Sequence, residues 1–160
     1  MDAINKLSEL LALTAENEVV EFKEAKTSYS FNDLGKYFSA VSNEANLKHQ
    51  PGAWLAFGVN DHRQVVGSNY RPSRKDLDHL KEEIANKITN RITFVEIHEV
   101  RHAQVRVVLF EIPAAPQGIP VAFEGHYYGR DGGAVAFESR GDRTYPGPSH
   151  TRGLERGRCA

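Results

Sequence analysis

The run Ala53-Trp54-Leu55-Ala56-Phe57-Gly58-Val59 constrains the fold more than any other stretch of the chain. It is short, apolar throughout, preceded by Pro51-Gly52 and followed by the polar pair Asn60-Asp61. A segment with no polar face suits a strand covered on both sides, at the centre of a sheet. The rest of the chain must then supply neighbouring strands and elements to cover each face.

Candidates for both are present. Ile4, Leu7, Leu10 and Leu11 recur at helical spacing over residues 3–13. Ser30 followed by Asp33 resembles a capping box, and Leu34, Tyr37, Phe38 and Val41 continue it as the apolar stripe of a second helix to about residue 45. Leu77, Leu80, Ile84 and Ile88 share one face of a third helix over residues 73–89, opened by Ser73. Residues 18–23 read as a strand with Val20 and Phe22 on one face. Val65-Val66-Gly67 follows a polar turn behind the central strand. Residues 93–100 and 104–112 are β-rich and are joined by Arg101-His102-Ala103 as an antiparallel hairpin. Val121-Ala122-Phe123 and His126-Tyr127-Tyr128 flank Glu124-Gly125 as a second hairpin. The expectation is a single α+β domain, residues 1–138, with about three helices packed on the sheet. Residues 139–160 are rich in Gly, Pro and Arg without apolar period and are expected to form a disordered tail or linker.

Composition narrows the function. A chain of 160 residues accommodates one domain. Its 20 Lys and Arg against 21 Asp and Glu leave a net charge of −1, so attraction to a polyanion has to come from a local patch. Cys159 is the only cysteine, which excludes an intrachain disulfide and a cysteine zinc cluster and fits a reducing, cytoplasmic setting. The amino-terminal stretch lacks the basic flank and cleavage site of an export signal. No run approaches the roughly 18 to 20 apolar residues that cross a bilayer. The histidines form no HExxH pair, and no GxxxxGK[ST], GxGxxG or GxSxG motif is present.

Two sets of residues carry possible chemistry. Glu16, Glu21 and Asp61 sit at a helix-to-strand turn, on a strand and just past the central strand, and convergent carboxylates of this kind make a hard-oxygen site for Mg²⁺ or Mn²⁺. Lys23 shares a strand face with Glu21 and could steady a scissile phosphate. The same pattern also describes solvated carboxylates near turns. The basic set comprises Lys23, Lys26, Arg63, Arg71, Arg74, Lys75 and Arg130, with Tyr70, Tyr127 and Tyr128 as possible stacking platforms. Ordinary solubility charge and tyrosines buried in a sheet would look alike.

Taken together, Glu16-Asn-Glu-Val-Val-Glu21-Phe22-Lys23, residues 34–43, Phe57-Gly58-Val59-Asn60-Asp61 with Val66-Gly67, and Pro120 onward to Tyr128-Gly129-Arg130-Asp131-Gly132 resemble the Schlafen-type Alba-like domain. That domain is associated with DNA binding in bacterial transcriptional regulators and helicase-related proteins. The resemblance implies an α+β fold with a mixed sheet and a link to nucleic acid, DNA or RNA. It also places Glu16, Glu21 and Asp61 at the positions of the catalytic acids of the nuclease members. Those eukaryotic nucleases clamp RNA between two such lobes; this chain has length for one, and a homodimer would supply the second. The usual glycine-rich turn before the central strand is replaced here by residues 44–52. The leading expectation is a nucleic-acid-binding module with Lys23, Lys26, Arg63, Arg71, Arg130 and Tyr128 at the interface. The alternatives are a metal-dependent nuclease using Glu16, Glu21 and Asp61, with Lys23 at the phosphate, and a protein-interaction or assembly domain.

Overall fold

The computed structural model describes residues 2–12, 18–130 and the backbone of 134–136. Helix α1 (Ala3–Ala12) is followed by strand β1 (Val20–Lys23), helix α2 (Phe31–Leu47), strand β2 (Gly52–Phe57), helix α3 (Arg74–Ala85) and a 3₁₀ turn (Thr89–Arg91). Strands β3 (Glu96–His102), β4 (Val105–Pro113), β5 (Ala122–Phe123), β6 (His126–Arg130) and β7 (Ala134–Ala136) complete it. A mixed four-stranded sheet has the order β1-β2-β4-β3, and β5-β6-β7 form a second, small sheet. β1 runs parallel to β2; the β2–β4 and β4–β3 pairs are antiparallel.

β2 is internal, and its alternate residues enter two separate cores. Ala53, Leu55 and Phe57 join Leu34, Phe38, Val41, Leu77, Leu80, Ile84 and Phe110 on the face covered by α2 and α3. Trp54 and Ala56 join Leu7, Leu10, Val107 and Leu109 on the face covered by α1. The run had to be apolar on both sides because both sides are buried.

α2 starts where Ser30 accepts a hydrogen bond from the Asp33 N–H, 3.2 Å, satisfying one of the free donors of the first turn. Its flank toward β5 and β6 is polar yet buried. Ser39 and Asn43 donate to the Val121 carbonyl, Asn43 also to Tyr128, and Ser42 to the Pro113 carbonyl. The Ser39 and Asn43 bonds fasten the small sheet to the helix, and the Ser42 bond ties the helix to the end of β4.

Three boundaries differ from the sequence reading. α3 ends at Ala85 because Ile88 is drawn into a β-bridge with Phe123, and Asn90 and Arg91 then take positive φ. The first hairpin turns on Ala103 and Gln104, both at positive φ, as a two-residue turn whose twist matches the strands. Arg101 and His102 therefore belong to β3. Val65 forms only a bridge to Val59. Residues 139–160 lie outside the described residues. Among the described residues, no helix is long and apolar enough to cross a membrane.

Candidate nucleic-acid interface

β1 is short, and its alternation decides what its side chains meet. Val20 and Phe22 pack in the core beneath α1, so Glu21 and Lys23 project from the opposite face, toward α2. The Lys23 ammonium donates to the Tyr37 hydroxyl at 3.1 Å and lies 3.6 Å from a Glu21 oxygen. Burial is the largest single influence on Lys23 and disfavours its charge, but the Tyr37 hydroxyl and the nearby Tyr29 and Glu21 together outweigh it and raise its pKa. It is a fixed cation. Burial pushes the Tyr29 phenol up to about 12 even against the pull of Lys23, so that group stays neutral.

Lys23, Tyr29, Asp33, Lys36 and Tyr37 line one open pocket of about 300 Å³. The Lys36 ammonium also lies 6.0 Å from the centre of the Tyr128 ring. The pocket sits at the carboxyl end of β1. Because β2 runs parallel to it, the segment after β2 lies at the same end, where the N–H groups of Gly58 and Val59 both donate to the Lys23 carbonyl, 2.8 and 3.2 Å. Open sheets commonly bind ligands beyond the carboxyl ends of parallel strands.

The carboxylates proposed from the sequence fare differently from one another. Glu16 lies outside the described residues. Glu21 accepts a 2.8 Å hydrogen bond from Arg130 on one oxygen, while the other faces Lys23. Asp61 is exposed in a turn built by Asn60, whose side-chain oxygen accepts the N–H groups of His62 and Gln64, both 2.9 Å. Among the described residues, no three His, Cys, Asp or Glu side chains converge to hold a metal ion.

The basic residues also separate. Arg130 is spent on protein groups: it makes a two-pronged pair with Glu44, 2.6 and 3.1 Å, and bonds Glu21 and the Val20 carbonyl, both 2.8 Å. Burial works to raise the Glu44 pKa, but Arg130 and then Lys48 hold it below the ordinary carboxylate value. Arg71 is likewise paired two-pronged with Glu83, 2.9 and 3.0 Å. Arg74 bonds Asp78 and the Ile97 carbonyl, while Lys75 is exposed on α3. Arg63 lies over the Phe22 ring, 5.5 Å from its centre, and thus leans to the α1 face, away from Lys23. Lys26 is exposed beyond the next bend of the chain. Tyr70 is no platform for a base, being 5% exposed and packed edge-on against Phe57. Tyr128 is half-buried beside Lys36, and Tyr127 is 37% exposed.

Lys36 and Tyr29 were not among the residues singled out from the sequence, Asp33 was read only as a helix-capping residue, and Tyr37 only as part of an apolar stripe. One signal for Tyr37 was available: a tyrosine on a core-facing helical stripe must find a partner for its hydroxyl. That partner is Lys23.

The family model for Schlafen, AlbA_2 matches residues 16–136. The chain belongs to the Schlafen AlbA_2 family. Among solved structures, the DIP2311 protein from Corynebacterium diphtheriae is similar at a TM-score of 0.54 and 19% identity, over 80% of this chain and 25% of that one. The N-terminal domain of a RecG-related protein from Nitrosomonas europaea matches at a TM-score of 0.48 and 16% identity, over 100% of this chain and 99% of that one. No curated protein matches significantly. The Schlafen AlbA_2 chain described here thus spans a quarter of the DIP2311 chain.

Proposed function

We propose that this Schlafen AlbA_2 domain binds nucleic acid, as a module of a larger regulator or helicase-related protein. One observation carries the reading: Lys23 and Lys36 face a single open pocket together with the phenols of Tyr29 and Tyr37. Ammonium groups take phosphate oxygens, and the phenols offer neutral hydrogen-bonding and ring surfaces beside them. Tyr37 and Glu21 hold Lys23 charged and in place before any ligand arrives. Family membership supports the same assignment.

A second reading makes Glu16, Glu21 and Asp61 the holders of Mg²⁺ or Mn²⁺ in a nuclease, with Lys23 at the scissile phosphate. Its support is the parallel pairing of β1 and β2, which brings the ends leading to Lys23 and Asp61 together. Against it, both oxygens of Glu21 already face cations, Arg130 and Lys23, which oppose a divalent ion at that carboxylate. Binding is therefore the primary proposal.

The test is a mobility-shift and cleavage assay on labelled single-stranded and duplex DNA and RNA, with Mn²⁺ or EDTA, from about 50 to about 200 mM salt. Affinity is expected to fall steeply with salt, and Lys23→Ala/Lys36→Ala to weaken binding on the order of tenfold, at about 0.7 kcal/mol per exposed charge contact. Binding that ignores both salt and the double substitution would sink the proposal. Cleavage that needs Mn²⁺ and disappears in Asp61→Ala would install the second reading in its place.

A further inference from the structure

A second groove, of about 460 Å³, opens on the other side of the segment that follows β1, between residues 26–27, 66–69 and the β3–β4 hairpin. Lys26, Arg101 and Arg106 line it, and among the described residues no carboxylate does. In a chain whose net charge is −1, that is a concentrated local charge.

The three cations are not equivalent. Arg106 is only 8% exposed, and its guanidinium is spent on Glu99 and on the carbonyls of Ser68, Tyr70 and Arg71. It builds the wall by tying residues 68–71 to β4. Arg101 stands directly opposite Arg106 across the strand pair. Directly opposed like charges destabilise a hairpin. Glu99, the carboxylate on the same face of β3, is committed to Arg106 and Arg74. Arg101 and Lys26 are exposed, and neither has an ion-pair partner among the described residues. The fold thus carries the cost of Arg101 without a structural return.

The groove and the pocket already described flank the same short segment, residues 24–28, and open from one face of the sheet. Glu99 and Arg101 alternate with the α1-side residue Val100, and Glu21 and Lys23 with Phe22, so both cationic sets project from the face that carries α2 and α3. Lys26 follows Lys23 by three residues, at most about 11 Å of extended chain. The intervening segment is pinned in place: Asn69 N–H donates to the Lys26 carbonyl at 2.7 Å, and the Ser68 hydroxyl donates to that of Ala25. Among the described residues, no aromatic ring lines this groove. Its polar additions are Thr27, Ser68, Asn69 and Gln104. It offers charge and hydrogen bonds but no surface on which a base could stack.

We infer that Lys26 and Arg101 hold the phosphodiester backbone of a single nucleic-acid strand that continues from the Lys23–Lys36 pocket along this groove. The inference rests on the nucleic-acid reading of that pocket. It assigns this stretch to positioning without base readout, since phosphate contacts carry no sequence information.

The experiment measures binding of the unaltered chain and of Lys26→Ala/Arg101→Ala to two single strands of unrelated sequence, across the same salt series. Both substituted side chains are exposed and Arg101 opposes Arg106, so the alanine pair is expected to melt no lower than the unaltered chain. Loss of two phosphate contacts should reduce the slope of log affinity against log salt by about 1.4. Affinity should fall equally for both sequences, and Lys26→Arg/Arg101→Lys should retain the original slope. An unchanged slope in the alanine pair, while the unaltered chain binds, overturns this inference and leaves the pocket's function standing. A loss confined to one sequence overturns it too, by showing base readout. Failure of the unaltered chain to bind any strand removes both.

Discussion

Arg130 illustrates how one side chain can look like a ligand contact in sequence and act as a structural clamp. It follows two tyrosines and a glycine, as a phosphate-binding arginine might, yet its donors reach Glu44, Glu21 and the Val20 carbonyl. These bonds join β6 to α2 and to β1, which no local pattern encodes. Arg130→Met keeps much of the aliphatic stem but takes the bonded guanidinium from two partly buried carboxylates, leaving Glu21 with Lys23 and Glu44 with Lys48. Urea unfolding should register a loss of about 2–3 kcal/mol, the range for hydrogen bonds to charged groups. The salt dependence of nucleic-acid binding should keep its slope, because the guanidinium has no free edge for phosphate. A slope lowered with stability intact would return Arg130 to the interface. Lys23 presents the complementary case. Its place on the face of Glu21 was legible from strand alternation, but the Tyr37 hydroxyl that holds it comes from a helix starting eight residues later.

At the scale of elements, apolar pattern gave what apolar pattern can encode. The stripes of α1 and α2, that of α3 as far as Ile84, and the run in β2 are where their periodicity placed them, because each is buried by the very face that the period defines. What escaped is polar burial. Ser39, Ser42 and Asn43 are fully buried in α2, although a hydropathy reading would assign such residues to water. Ser39 and Asn43 are buried because the edge of the small sheet ends its backbone bonds on the helix, and Ser42 because the last carbonyl of β4 does the same. Asn43 both donates to the Val121 carbonyl, 3.0 Å, and accepts from the Val121 N–H, 2.8 Å. Asn43→Ala should therefore cost about 2–6 kcal/mol, because the Val121 N–H and the Tyr128 carbonyl lose the amide while Ser39 still serves the Val121 carbonyl. Hydrogen exchange should show the amides of Val121 and Tyr128 opening well before those of β2 and β4. A variant as stable as the original, with those amides still protected, would mean that water replaces the side chain. Turn placement escaped for a different reason: Ala103-Gln104 lacks the glycine or asparagine that normally marks positive φ.

Over the whole molecule, the near-neutral charge count conceals an uneven arrangement, in which some carboxylates are locked to cations and some cations are left without them. Neither half of that division is visible in sequence, because it depends on which strands become neighbours. The locked set determines how the fold responds to acid. Glu44 is held below its ordinary 4.5 by Arg130 and Lys48 despite burial that works the other way. Arg71 and Lys81 likewise lower Glu83 and Glu96, although those side chains are 41% and 44% exposed and solvent screening leaves them little weight. A carboxyl whose folded pKa is depressed contributes stability that is fully present above its unfolded value. That contribution is lost as pH falls through the folded one. The domain should thus weaken below about pH 4.5 as Glu44, the least exposed of the three, takes up its proton. Urea midpoints measured from about pH 7 to about pH 3 test this against Glu44→Gln. The substituted chain should start less stable and decline less steeply, so that the two curves converge in acid. Parallel curves would mean that the Arg130–Glu44 pair contributes no pH-dependent stability, and that another group sets the acid limit of the fold.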